Sequence, residues 1–185
     1  MCKEYHFYRI PHEKNQKYEY KVLQIPELTA YTNYHRKRKK ALWYVKYKDE
    51  YILEQYNYMA DWKWFFMGEQ AFLKRQYNLI VNGNIKGCLE TTNRFLRDAN
   101  EKFVFVDKRY YIRSGNTRVL RPLKNYEWPI ENEEGKPVAI VRREYRTADY
   151  KIKIIRNDLS ISCIVLLVMI SDIKMFSSEV GDTVI

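Results

Sequence analysis

Apolar and polar residues alternate at a spacing of two along much of the chain, the pattern of a strand with one face on a core and the other in water. In residues 41–48 one face carries Ala41, Trp43, Val45 and Tyr47, while the other carries Leu42 and Tyr44 and ends in Lys46 and Lys48. Tyr77, Leu79 and Val81 repeat the pattern, and Tyr150, Ile152 and Ile154 do so against Lys151 and Lys153. Residues 103–106 form a continuous apolar run, which predicts a strand buried on both faces or covered by a loop. Turn chemistry punctuates these runs. Asn82-Gly83 tolerates positive φ at both central positions, and Ser114-Gly115-Asn116 and Glu134-Gly135 have similar character, so hairpins are the predicted connections.

Residues 159–173 break the alternation with Leu-Ser-Ile-Ser-Cys-Ile-Val-Leu-Leu-Val-Met-Ile-Ser-Asp-Ile. A membrane-spanning helix needs roughly 20 apolar residues, and this stretch is shorter and interrupted by Ser171 and Asp172, so a core helix is predicted. Ile161, Ile164, Val165, Val168 and Met169 form one stripe, while Leu166, Leu167 and Ile170 cover the opposite side. A helix apolar all round must be surrounded. Asp158 is the expected cap, accepting an otherwise unpaired N–H of the first turn. The fold class that follows is mainly β, with one helix enclosed by strands.

The 185 residues fit one domain, expected over residues 1–176, with residues 1–40 carrying the least pattern and 177–185 expected as a flexible tail. Hydrophobic residues make up 46% of the chain, enough for a real core, and 16% aromatic content argues against disorder throughout. Lys and Arg number 33 against 23 Asp and Glu, a net charge of +10, which favours a partner or surface of opposite sign. Cys2, Cys88 and Cys163 are odd in number and far apart, so neither a disulfide framework nor a metal knuckle is expected. Residues 1–24 mix tyrosines with charges, so no secretory signal is expected and a cytoplasmic location is the default.

The segment Gly135-Lys136-Pro137-Val138-Ala139-Ile140-Val141-Arg142-Arg143, then Tyr150-Lys151-Ile152-Lys153-Ile154, then residues 164–172, resembles the C-terminal half of the tubby C-terminal-like superfamily. That group includes tubby, the plant LURP-one-related proteins, phospholipid scramblases and small bacterial relatives. The shared pattern is a hairpin with a Gly turn, a Tyr-x-Ile-x-Ile strand, and a closing apolar helix with an acidic residue near its end. The resemblance is clearest over residues 132–176 and fainter over 62–113. It implies a closed antiparallel β-barrel of about twelve strands wrapped around a C-terminal hydrophobic helix, and closure would remove exposed sheet edges. Tubby's recognition of phosphoinositide headgroups implies an anionic-lipid ligand here. Scrambling and calcium are not implied, because Asp149 and Asp158 flank a basic strand rather than forming an oxygen cage.

Two basic sets are the candidate lipid- or phosphate-binding residues. The first is Arg36, Lys37, Arg38, Lys39 and Lys40, preceded by His35 and followed by Lys46 and Lys48 among Trp43, Tyr44 and Tyr47. Such residues suit anionic headgroups and interfacial anchoring. The alternative partner is nucleic acid, with segment 35–48 neutralising phosphates and stacking bases. The second set is Arg142, Arg143, Lys151 and Lys153, joined by Arg146 and Arg156 and offset by Glu144 and Asp149. For catalysis the inventory is thin. His6, His12 and His35 all lie near the start, and no HExxH, GxSxG, P-loop or CxxC pattern occurs. Cys88 and Cys163 read as small packing residues, and Trp62 and Trp64 as strand residues. Asp172 is the one acidic residue that burial can reach, and it is expected to be solvent-facing or hydrogen-bonded rather than catalytic. The expected function is therefore non-enzymatic binding or scaffolding, with no cofactor, at an anionic membrane surface.

Overall fold

The computed structural model describes residues 3–10, 17–35, 40–61, 72–94, 99–114, 126–144, 147 and 149–176; at 17, 34, 35, 40, 41, 57–61, 72–75, 91–94, 99–101, 113, 114, 126 and 173–176 it describes the backbone alone. Among the described residues twelve strands precede one helix. They are β1 (Lys3–Ile10), β2 (Lys17–Val22), β3 (Thr29–His35), β4 (Lys40–Lys46), β5 (Glu50–Asp61), β6 (Phe72–Val81), β7 (Asn84–Arg94), β8 (Ala99–Phe105), β9 (Lys108–Ser114), β10 (Tyr126–Asn132), β11 (Pro137–Arg143) and β12 (Asp149–Ile154). The helix α1 spans Ile161–Phe176. Each strand pairs antiparallel with its neighbours in the chain, and β1 pairs with β12 to close the barrel.

Period-two alternation becomes an inside and an outside. Trp43 and Val45 on β4, Tyr77 and Leu79 on β6, and Tyr150, Ile152 and Ile154 on β12 point inward and are buried. All of residues 162–172 on α1 are buried, so the helix fills the barrel as its apolar sequence requires. At full burial each large aliphatic side chain of that helix contributes about 1.5–3 kcal/mol.

The turns follow the sequence chemistry where glycine and asparagine occur. Asn82 (φ 49°) and Gly83 (φ 80°) form the β6–β7 turn, and Asn82 also bonds the neighbouring hairpin through Oδ1 to Glu50 N (2.9 Å) and Nδ2 to Asp49 Oδ1 (2.9 Å). At β10–β11, Asn132 Oδ1 accepts from the N–H groups of Glu134 and Lys136, with Gly135 at φ 74°. Gly115 and Asn116 lie outside the described residues.

Two local expectations are corrected. Residues 103–106 are not buried on both faces: Phe103 is buried, Val104 and Phe105 are half-buried, and Val106 turns outward at φ 45° in a tight hairpin with Asp107. The cap of α1 is Ser160 and not Asp158. The helix begins at Ile161, so Ser160 is the flanking residue; its Oγ accepts from Cys163 N (3.2 Å) and donates to Tyr51 OH (3.0 Å). Asp158 serves through its carbonyl, which accepts from Tyr110 OH (3.4 Å). Ser160 and Asp158 fix where the helix enters the barrel.

Candidate functional site

The up-and-down order sends connections alternately to the two rims. One rim, here the hairpin rim, gathers connections 23–28, 47–49, 82–83, 106–107, 133–136 and 155–160. The far rim receives the strand ends that flank residues 11–16, 36–39, 62–71, 95–98, 115–125 and 144–148, most of which lie outside the described residues. Counted from the sequence, the segments that link strand ends at the two rims differ in formal charge. The hairpin-rim connections sum to −3, from Glu27, Asp107 and the excess of Glu133 and Glu134 over Lys136. The segments that join far-rim strand ends sum to +7 in the sequence, from Arg36, Lys37, Arg38 and Lys39 in one and Arg118, Arg121 and Lys124 in another, all seven outside the described residues, the rest being balanced.

Of the first basic set, Arg36, Lys37, Arg38 and Lys39 lie outside the described residues, as do His12, Trp62, Trp64 and the tail 177–185. The ends of their connection are placed: His35 of β3 pairs with Lys40 of β4 at the far rim. The aromatic neighbours take separate roles. Trp43 is buried against Tyr77 at 5.3 Å, edge to face. Tyr44 stacks on Tyr31 at 4.7 Å and donates to Glu50 Oε1 (2.9 Å), and burial with this bond pushes its phenol up to about 12.

The second set divides. Arg142, Lys151 and Lys153 lie on the outer face of β11 and β12, with Arg142 opposite Lys151 in register. Carboxylates interleave with them: Glu127 is opposite Arg142, Glu4 opposite Lys153, and Glu144 Oε1 is 2.9 Å from Lys151 Nζ. That bond to Lys151 leads in holding the Glu144 carboxyl below its usual range. Arg143 leaves the set, because a strand that turns Val141 inward turns Arg143 inward as well. It is 2% exposed, and its Nε donates to Thr147 O (2.8 Å).

The interior of the barrel holds a polar cluster near the far rim. Asp172, at 0% exposure on α1, accepts hydrogen bonds from Tyr20 OH on β2 at Oδ2 (3.0 Å) and from Tyr150 OH on β12 at Oδ1. Arg9 Nε on β1 lies 3.5 Å from Oδ2, and its guanidinium carbon sits 4.9 Å over the Tyr18 ring. Phe7 stacks on Tyr20 at 5.1 Å and tilts against Tyr150 at 5.6 Å. Burial leads in holding the Asp172 carboxyl above the usual range, against the pull of Arg9 and the two hydroxyls. Burial likewise holds both phenols well above theirs. The cluster joins titratable groups, as a catalytic site would, but its carboxyl is sealed from solvent. Its evident work is to tie the helix to three strands.

The charge pattern alone does not reveal this cluster, since Arg9, Tyr20, Tyr150 and Asp172 are far apart in sequence; only the inward parity of β1, β2 and β12 signals it. Among the described residues no group of three or more His, Cys, Asp or Glu is placed to hold a metal. No described helix is long and apolar enough to cross a membrane. Comparison with protein-family models, with curated proteins and with solved structures finds no match.

Proposed function

We propose that this chain is a non-enzymatic binding module of tubby C-terminal-like type that attaches peripherally to anionic phospholipid, presenting its far rim to the headgroups. What carries the reading is the formal charge, counted from the sequence, of the segments that link strand ends at each rim, +7 for the far rim and −3 for the hairpin rim. A cation near an anionic bilayer surface contributes about 1 kcal/mol, so a rim carrying several of them gives a binding energy a flat mixture of charges would not. Arg36, Lys37, Arg38, Lys39 and Lys40 are the leading contacts, while Arg142, Lys151 and Lys153, each facing or paired with a carboxylate, are secondary. A barrel of twelve strands around a buried apolar helix also accords with the tubby-like architecture.

The competing partner, nucleic acid bound through segment 35–48, would use the same cations but needs free aromatic faces. Trp43 is committed to the core, and Tyr44 to Tyr31 and Glu50, which weighs against base stacking there. Vesicle sedimentation tests the reading. Binding is expected to rise with phosphatidylserine content, to weaken in salt, and to fall when Arg36 to Lys40 are neutralised. Binding indifferent to lipid charge overturns it. Tight binding of a labelled single-stranded oligonucleotide, with a salt slope that drops in the same variant, would transfer the site to nucleic acid.

A further inference from the structure

The junction of β1 with β12 differs from every other in the barrel. All the remaining neighbours are consecutive in the chain and joined by a connection, whereas this seam brings together strands about 140 residues apart and must bear the loop-closure cost of the whole barrel. It is held by six register pairs, from Lys3 opposite Ile154 to Tyr8 opposite Asp149. Asp172 reaches it from inside: Tyr150 is on β12, Arg9 is on β1, and Tyr20 is on β2, the next strand beyond. One carboxyl group therefore spans the seam.

We propose that Asp172 is the latch of the barrel's seam, and that its release opens β1 from β12 locally while the other hairpins stay paired. Three observations carry this. The donors to Asp172 come from both sides of the junction; Asp172 and Arg9 are buried at 0% and 6% exposure, where a donor stripped of its partner is costly; and Phe7, stacked on Tyr20 and tilted against Tyr150, packs over the same junction. The far-rim end of α1 is thereby fixed to the seam, as Ser160 fixes its other end to Tyr51. An open seam exposes two strand edges with unpaired N–H and C=O groups, so the latch decides whether the closed barrel offers an edge to another chain.

Amide hydrogen exchange of the full-length chain at neutral pH tests this with the variant Asp172→Ala. Amides of residues 3–8 and 149–154 should exchange at least about tenfold faster, while those of residues 76–90 on β6 and β7 change by less than about twofold. Tyr150→Phe, which keeps the ring and removes one donor, should give the same local pattern at smaller amplitude, and it carries the test if Asp172→Ala does not fold. Uniform acceleration in all strands would make Asp172 a support of the whole fold and overturn the latch. So would unchanged exchange at the seam.

Discussion

Asp172 holds a carboxyl inside a barrel where burial raises its pKa above the ordinary Asp value of 3.8. A folded pKa above the unfolded one means that the folded chain binds the proton more tightly. The proton-linked part of the Asp172 contribution is then fully present below the ordinary Asp range and is lost as pH rises through the folded pKa, while its bonds to Tyr20, Tyr150 and Arg9 remain to hold the seam at neutral pH. Wild type should therefore lose stability relative to Asp172→Asn across that window, and denaturant unfolding of both proteins at a series of pH values checks it. A gap that widens in favour of wild type over the same range would contradict the assignment. Tyr20 and Tyr150 act at the opposite end of the scale. Their raised phenol pKa values keep them neutral in the fold, so their contribution is present below the ordinary phenol range and is lost as pH climbs above it. In an absorbance titration these two should ionise only with unfolding. Sequence made part of this legible: Asp172 stands out as the one acid in an apolar stretch, but nothing near it in the chain names its partners. Arg143 was readable from parity alone, because it follows Val141 by two, and the charge of the Arg142-Arg143 pair obscured it. Ser160 was hidden by a helix start placed two residues early.

At the scale of elements, strands with clean alternation and a good turn are readable, and tertiary context decides the others. Residues 103–106 look like a doubly buried strand because all four are apolar, yet the hairpin to β9 takes Val106 out of the strand and leaves it 57% exposed at φ 45°. A β-branched residue is disfavoured there, whereas asparagine tolerates it. Val106→Asn should raise stability by about 1 kcal/mol in denaturant unfolding, since it relieves backbone strain and little burial is lost. Gly87 gives the converse case. A Cβ at that position would stand 2.1 Å from Val104 O on the neighbouring strand, so β7 and β8 can approach only with glycine there. Gly87→Ala should cost about 1–3 kcal/mol by the same measurement, and a neutral result would mean that the two strands separate freely. The helix is the most legible element of all, because a segment apolar on every face admits few positions in a folded chain. Its enclosure follows from the strands around it.

For the molecule as a whole, net charge was countable from composition, but its direction was not. A total of +10 says nothing of where the charge lies until twelve strands in chain order send alternate connections to opposite rims. In that order the cation-rich segments 36–39 and 115–125 link strand ends of one rim, where His35 pairs with Lys40, and the other rim has turns such as Asn82-Gly83. If the far rim is the membrane-facing surface, the protein should dock in one orientation. The most direct measurement places an environment-sensitive fluorophore at exposed Asn33, on the far-rim half of β3, or at exposed Asn84, on the hairpin rim, in a chain whose native cysteines are replaced. On vesicles containing phosphatidylserine, the label at Asn33 should shift to a less polar environment, reversibly in salt, while that at Asn84 stays unchanged. A shift at Asn84 with none at Asn33, or no shift at either, would contradict docking through the cationic rim.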